Sequence, residues 1–241
     1  MSNLSKFNPS PEEFDIFYKK IDPWEIRGTI PELARIKNIN SKFINCKFKN
    51  GLDIGCGEGH FTAKLKFIKN ITAIDISEVA LSRARKLYPE INFKKENINN
   101  LSSIDNFKYD FISCLECIYY ISDESERRKT LKKIKDKGTE NCLFCFSVVT
   151  IGENKYRKFQ TYDEAIDFFK NEFNIVDQFP MHLGTKDKNI LKRFFRKFKR
   201  LKTKLIDRYF DVSAEVRNYL EDLKAADPRS AYSTCFILIK K

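Results

Sequence analysis

Apolar and polar positions follow two different patterns along the chain, and the change comes near residue 49. From there on, short apolar runs are separated by amphipathic stretches, which predicts strands alternating with helices in parallel βαβ units. The predicted strands are 51–55, 71–76, 91–95, 109–114, 141–149, 175–181 and a last strand within 232–241. The predicted helices of this part are 61–68, 78–87, 125–135 and 161–173.

Seven strands in this arrangement predict an α/β fold with a doubly wound, Rossmann-like sheet. Residues 1–48 precede it as an amphipathic helical arm, and the break in the arm holds the only Trp of the chain, Trp24. Residues 185–229 form an insert that a minimal doubly wound domain does not require. We therefore expect a cofactor-binding core of 49–184 and 230–241, with the insert as a helical lid on its substrate side.

Positive charge is concentrated in that insert. The 241 residues contain 45 Lys and Arg against 33 Asp and Glu, a net charge of +12. Between Lys186 and Arg208 there are eleven basic and two acidic residues, and Leu and Phe recur there at helical spacing. This concentration predicts a surface that meets an anion, which the sequence leaves open as a phosphate, a nucleic acid or a membrane face.

The seven cysteines include two CxxC pairs, Cys114/Cys117 and Cys142/Cys145. Each pair stands in an apolar run without the Gly or Pro turn of a zinc knuckle, and residues three apart on a strand point to opposite faces. We expect free thiols, no disulfides and, with only two His in the chain, no metal site. Since neither a secretory signal nor a membrane-length apolar run is recognisable, we expect a cytoplasmic protein.

The candidate chemistry centres on GLDIGCGEGHFT, residues 51–62, where a strand runs into a Gly-rich turn. Glycine allows a tight turn and a close approach of backbone to ligand, and a following helix would present free N–H groups. The spacing G-x-G-x-G departs from the dinucleotide fingerprint, which needs Gly or Ala where this chain has His60. Asp75 ends the second strand, eighteen residues after Gly57, and can accept both ribose hydroxyls of an adenosine.

These motifs resemble those of the class I S-adenosylmethionine-dependent methyltransferases. LDIGCGEG is similar to the first motif of the class, AIDIS to its ribose-binding strand, and YDFISCLECIYYI to the motif on its fourth strand. Within the class, the YKKIDPW arm and the strand-four ending most resemble the nodulation-type N-methyltransferases, which act on amino-sugar oligosaccharides. The resemblance implies S-adenosyl-L-methionine as cofactor and methyl transfer as reaction.

The resemblance also implies roles for individual residues. The cofactor would lie against Asp53, Gly55, Cys56 and Gly57 at its methionine end, Asp75, Ile76, Asn97 and Ile98 at its nucleoside, and Leu115 near the sulfonium. Asn97 stands where members of the class usually have an acid for the adenine amino group. Glu116, which follows strand four, is the first candidate catalytic group and would orient an amine or remove its proton. Independently of the resemblance, we add Tyr120 as a second hydrogen-bonding group and His182, which we expect at the rim of the pocket beside the insert. For Asp53, a purely structural role toward the turn stays open.

The leading hypothesis is a methyltransferase that acts on O or N of a small polar acceptor, a sugar or amino sugar carrying phosphate. Tyr119 and Tyr120 replace the second Glu and the His of the E-x-x-E-H motif, which removes the metal ligands of small-RNA end methyltransferases. Two alternatives stay open. One is an RNA-directed methyltransferase with the basic insert as its footprint, and the other is a non-catalytic cofactor-binding protein whose segment 188–210 lies on a membrane surface.

Overall fold

A seven-stranded mixed sheet forms the centre of the computed structural model, which describes residues 9–24, 26–104, 108–150, 161–183 and 214–241. The strands are β1 Phe48–Ile54, β2 Ile68–Asp75, β3 Asn92–Lys95, β4 Tyr109–Leu115, β5 Gly138–Val149, β6 Phe173–His182 and β7 Ser233–Lys240. Their order is β3-β2-β1-β4-β5-β7-β6, and β7 runs antiparallel to both of its neighbours. The predicted doubly wound Rossmann-like fold is confirmed.

The helices follow their sequence signals closely. Those of the described residues are α1 Pro11–Phe17, α2 Ile30–Lys42, α3 Glu78–Leu87, α4 Glu124–Lys137, α5 Tyr162–Phe169 and α6 Ala214–Ala225. The Ser77 side chain caps α3 by accepting the N–H of Ala80, and Asp123 caps α4 in the same way. None of these helices combines the length and the apolar character that a membrane span needs.

Both faces of the sheet are buried, as successive residues of β5 show. Phe144, Phe146 and Val148 belong to one core, which α4 and α5 cover. Cys145 belongs to the core on the other face, together with residues of α2 and β6. All seven cysteines are free thiols and five of them are buried, while Cys46 and Cys117 are half-buried.

The prediction of a helix at 61–68 is wrong. The structure has a short 3-10 turn at Thr62–Lys64, and β2 begins at Ile68, opposite Phe48 of β1. After the Gly-rich turn the chain must therefore return along the whole of β1, about 20 Å at the rise of a strand. A helix over 62–67 would rise only about 9 Å, so the connection is more extended. Phe61 and Leu65 are buried in the core.

Contacts of α1 and of α2 fasten the arm to the rest of the protein. At α1, the Asp15 carboxylate accepts the Ser77 hydroxyl at 2.6 Å and the N–H of Val79 at 3.2 Å. At α2, Ala34 packs against α6 in a small apolar cluster with Val216 and Leu223.

Helix α6 is the described part of the predicted insert. Its packing on α2 joins the insert to the arm. The basic segment 186–208 lies outside the described residues. The division into arm, core and lid therefore stays a prediction.

Candidate active site

A cavity of about 670 Å³ opens where the carboxyl ends of the parallel strands meet the arm. A volume of this size suits a small molecule, and this edge is where doubly wound folds collect ligands. Every site residue predicted from the sequence lines it: Asp53, Gly55, Cys56, Gly57, Asp75, Ile76, Asn97, Ile98, Leu115, Glu116, Tyr120 and His182. The structure thus brings all of these positions together, while their individual roles stay predictions.

The Gly-rich turn after β1 forms the floor of the cavity. Gly55, Gly57 and Gly59 have φ angles of 78°, 54° and 75°, a region that side chains strongly disfavour. A Cβ on Gly57 would lie 2.6 Å from the Tyr18 hydroxyl, and one on Gly55 would lie 2.6 Å from the Cys117 sulfur. The turn therefore depends on glycine for both its backbone shape and the room beside it.

Asp53 lies near the end of β1, just before this turn. Its carboxylate accepts the hydroxyl of Ser113 at 2.7 Å and that of Thr62 at 2.5 Å. Complete burial raises the pKa of Asp53, although both hydroxyl hydrogen bonds act in the opposite direction. These bonds join Asp53 to β4 and to the residue after the turn rather than to donors within the turn, and Asp53 is among the residues that line the cavity.

Asp75 ends β2 directly beside the turn. Its carboxylate accepts the N–H of Gly57 at 2.8 Å and the N–H of Ser77 at 2.9 Å. Burial raises its pKa to about 6 despite these bonds. A carboxylate held this way keeps lone pairs free for further donors, as the predicted ribose contact requires.

At the end of β3, the side chains of Glu96 and Asn97 are engaged with the local backbone. The Glu96 carboxylate accepts the N–H of Asn97 at 2.8 Å and that of Ser103 at 2.7 Å. The Asn97 side-chain oxygen accepts the N–H of Asn99 at 2.9 Å. Among the described residues, the NH₂ end of the Asn97 amide is the end without a partner. Since NH₂ is a donor, it suits an acceptor atom of adenine better than the adenine amino group, which is also a donor.

Glu116 follows β4 in an unusual conformation. Its φ of 54° is left-handed for a residue with a side chain, and such strain is concentrated at functional sites. The carboxylate accepts the Ser147 hydroxyl at 3.2 Å through one oxygen and the Tyr119 hydroxyl at 3.1 Å through the other. Burial and the neighbouring Glu116 raise the pKa of Tyr119 well above its usual value, so the phenol remains a donor. Glu116 is thus held rigidly at the cavity wall.

The arm supplies an aromatic wall that the sequence interpretation missed. Tyr120 packs edge-on against Phe14, with ring centroids 5.4 Å apart, and lies 6.3 Å from Trp24. The Trp24 indole N–H donates to the Tyr18 hydroxyl at 3.1 Å, and Tyr18 is the residue that covers Gly57. The one sequence signal for this wall is the only Trp of the chain, which lies in a break between two amphipathic helices.

A second missed feature joins α2 to the end of β6. The Glu32 carboxylate contacts Arg35 at 2.5 Å through one oxygen and Nε2 of His182 at 3.0 Å through the other. Burial alone would raise the pKa of Glu32, but the charge of Arg35 and the contact with His182 lower it below its ordinary value. All three residues line the cavity, and the buried Nε of Arg35 has no hydrogen-bond partner among the described residues.

One group of potential metal ligands occurs in the described part of the chain, formed by Asp22, Glu58 and His60. Protein groups already occupy these ligands. Glu58 accepts a hydrogen bond from Arg83 at 2.6 Å and contacts His60 Nε2 at 3.2 Å, and the Asp22 carboxylate accepts two backbone N–H groups of the arm. The network fastens the arm to the Gly-rich turn, and we assign no metal to it.

Known proteins share this domain. Residues 52–137 match the family model of a methyltransferase domain. Nodulation protein S of Azorhizobium caulinodans is 26% identical over 117 residues, which cover 47% of this chain and 56% of that protein. Malonyl-[acyl-carrier protein] O-methyltransferase of Bacillus cytotoxicus is 32% identical over 130 residues, 52% of this chain and 42% of that protein. The chain thus spans about half the length of these curated relatives.

A solved structure shows the same fold over nearly the whole chain. It is the N-methyltransferase NodS from Bradyrhizobium japonicum WM9 in complex with S-adenosyl-L-homocysteine. The two chains are 17% identical, with a TM-score of 0.66 over 95% of this chain and 97% of the other.

The fold, the cavity and the matched domain agree on the class: residues 52–137 match a methyltransferase domain, and the chain has the fold of an S-adenosylmethionine-dependent methyltransferase. Within this class it resembles the nodulation-type N-methyltransferases, as its motifs predicted. The predicted class and the predicted cofactor, S-adenosylmethionine, are confirmed.

The cavity also fits this cofactor on its own geometry. Gly55 and Gly57 line the cavity with backbone that carries no side chain, and Asp75 lies beside this turn with lone pairs for the ribose hydroxyls. The unpartnered Nε of Arg35 offers a buried cationic donor for the carboxylate of the methionine end.

Asp75 gives cofactor binding an expected dependence on pH. Its pKa of about 6 in the free protein means that the carboxylate becomes protonated below that pH and loses an acceptor for the ribose hydroxyls. The affinity for S-adenosylhomocysteine should be constant above about pH 7 and fall by up to about tenfold per unit well below pH 6. Calorimetric titrations with S-adenosylhomocysteine at several pH values measure this affinity.

Asp75→Asn is the matched control. It should bind S-adenosylhomocysteine at least about tenfold more weakly at neutral pH, since two charge-assisted bonds are lost, and its affinity should not fall further in acid. Equal affinities of the unaltered protein at pH 5 and pH 7.5 would remove Asp75 from the ribose site.

Proposed function

We propose that this protein transfers a methyl group from S-adenosylmethionine to the nitrogen of a small polar amine, an amino sugar. The charge of the cavity is the observation that supports nitrogen over oxygen. Among the described residues, the lining includes five carboxylates and one guanidinium: Glu32, Asp53, Asp75, Glu96 and Glu116 against Arg35. Glu32 neutralises Arg35, Asp53 and Glu96 are engaged by protein donors, and Asp75 is assigned to the ribose. Glu116 is then the carboxylate left for the acceptor, and its charge favours a cationic acceptor over an anionic one.

When bound, S-adenosylmethionine supplies a methyl group on a positively charged sulfur, so the protein has to align the acceptor and accept one proton. Glu116 is placed for the alignment. Ser147 and Tyr119 fix its two oxygens, and each oxygen keeps a lone pair for an N–H of the acceptor. The Tyr120 hydroxyl is the second polar group that we assign to acceptor orientation, since its ring is held by the arm.

The phosphate expected on the acceptor remains a separate prediction. The cationic segment expected to bind it, 186–208, lies outside the described residues, as does the basis of the RNA and membrane alternatives. A phosphate would have to lie away from the carboxylates of the cavity, because like charges repel strongly where water is excluded. We therefore place any phosphate at the end of the acceptor remote from its amine.

A panel of acceptors tests the proposal. The full chain is incubated with radiolabelled S-adenosylmethionine and with D-glucosamine, glucosamine 6-phosphate or glucose 6-phosphate. We expect label in the two amines and none in glucose 6-phosphate, with the phosphorylated amine preferred if the phosphate prediction also holds. Labelling of glucose 6-phosphate as fast as of the amines would contradict N-methylation, and labelling of none would reject amino sugars as the acceptor class.

A further inference from the structure

His182 has one occupied and one unoccupied ring nitrogen. Its Nε2 lies 3.0 Å from Glu32 Oε1, while its Nδ1 has no partner among the described residues. His182 lines the same cavity as Glu116, since β6 and β4 both end at this edge of the sheet. One ring nitrogen, Nε2, thus lies beside a carboxylate. The other, Nδ1, is available to the molecule that receives the methyl group in the cavity.

The charge of Glu32 fixes the tautomer of this ring. Arg35 keeps the Glu32 carboxylate ionised, and an ionised carboxylate can only accept hydrogen bonds. The neutral imidazole must therefore carry its proton on Nε2, which leaves the lone pair on Nδ1. A carboxylate that orients an imidazole in this manner also stabilises the cation formed when Nδ1 takes up a proton.

Resting on the proposed function, we propose that His182 is the group that removes the proton from the acceptor amine and that Glu32 is its positioning residue. The acceptor arrives as an ammonium ion. One N–H bond breaks, its electron pair stays on nitrogen, and the proton forms a new bond to Nδ1 of His182. The neutral amine is then the nucleophile, and the imidazolium later returns its proton to water.

Glu32 and Glu116 then have different roles, since Glu32 positions the imidazole. Glu116 attracts and orients the ammonium, whereas the lone pair on Nδ1 of His182 accepts its proton. On the described residues, Glu32 of α2 contacts His182, Arg35 of α2 pairs with Glu32, and the Tyr219 hydroxyl of α6 accepts the N–H of the neighbouring Leu183. The Glu32 carboxylate is the one anion among them.

The first test needs no acceptor. The full chain is labelled with ¹⁵N at histidine and saturated with S-adenosylhomocysteine, and the ring nitrogens are observed by NMR. With two His in the chain, His60→Asn leaves only the signals of His182 and so assigns them. We expect the Nε2–H tautomer for neutral His182. A predominant Nδ1–H tautomer would overturn the proposal, because Nδ1 could not then accept a proton.

The second test is chemical rescue of methyl transfer to D-glucosamine. His182→Ala should lower kcat by about 10²-fold or more, and free imidazole should restore it to within about tenfold of the unaltered protein. The double variant His182→Ala with Glu32→Gln should not be rescued, and neither should Glu116→Gln. His182→Gln serves as a second variant, and an unchanged circular dichroism spectrum shows that each variant is folded.

The outcomes separate the two claims. If the unaltered protein methylates an amine while His182→Ala keeps kcat within about threefold, His182 is not the base and the proposed function stands. Rescue of Glu116→Gln by imidazole, or of the double variant, would equally overturn the assignment. If the unaltered protein methylates none of the amines, the proposed function fails and this inference fails with it.

Discussion

Glu116→Gln is expected to lower turnover by about 10²-fold or more while leaving the affinity for S-adenosylhomocysteine within about twofold. The substitution keeps the length of the side chain and the left-handed backbone that Glu116 already has, at a φ of 54°. It removes the negative charge that the acceptor ammonium meets. In the unaltered protein each carboxylate oxygen accepts a hydroxyl hydrogen bond, and the NH₂ group of glutamine cannot accept the one at its position. Loss of turnover without loss of cofactor binding therefore marks an effect on the acceptor.

Glu124→Gln is the control for the chemistry of this substitution. Glu124 begins α4 on the surface, where it pairs with Arg128, and it does not line the cavity. Its turnover should match that of the unaltered protein, since exposed ion pairs contribute about 0–1 kcal/mol. Full turnover of Glu116→Gln on an amine would reduce Glu116 to a structural residue.

Gly57→Ala is expected to weaken the binding of S-adenosylhomocysteine by at least about tenfold. The new Cβ would lie 2.6 Å from the hydroxyl of Tyr18, a buried residue that is itself tied to Trp24. Tyr18 would have to leave its place over the turn, and the arm that lines the cavity would move with it. Binding can be measured by calorimetry at a pH where Asp75 is ionised.

Gly28→Ala separates this effect from backbone strain. Gly28 has a φ of 69°, but a Cβ there meets no atom within 4 Å, and the residue does not line the cavity. Gly28→Ala should lose about 1–2 kcal/mol of stability, the ordinary penalty of a left-handed residue with a side chain, and Gly57→Ala should lose this amount and more because of its clash with Tyr18. Only Gly57→Ala should lose affinity. Similar affinities for the two variants would show that the turn does not need its close contact with the arm.

Local patterns predicted the sheet and its helices well. The helix predicted at 78–87 coincides with α3, because Ser77 provides a cap and the apolar residues repeat at helical spacing. The strands were found within a few residues, since their apolar runs are buried on both faces of a parallel sheet. The helix at 61–68 failed because the length of the return along β1 is a property of strand pairing, which no local pattern contains.

The candidate site was predictable only in part, for a similar reason. Residues at the strand ends share one edge of the sheet by topology, so the turn, Asp75 and Glu116 could be placed together from the sequence. The pairing of Glu32 with His182 joins positions 150 residues apart, and neither residue stands in a recognisable motif. The aromatic wall of the arm likewise depends on how the arm packs, which the amphipathic pattern does not specify.

The central claim is that this cavity joins the methyl group of S-adenosylmethionine to an amine nitrogen. The most direct measurement is NMR of the product formed by the full chain from D-glucosamine and S-adenosylmethionine with a ¹³C-labelled methyl group. N-methyl and O-methyl carbons resonate at distinct positions, so one spectrum identifies the atom that received the label. We expect an N-methyl signal. A product labelled only on oxygen would contradict the account, as would the absence of a product from protein that binds S-adenosylhomocysteine.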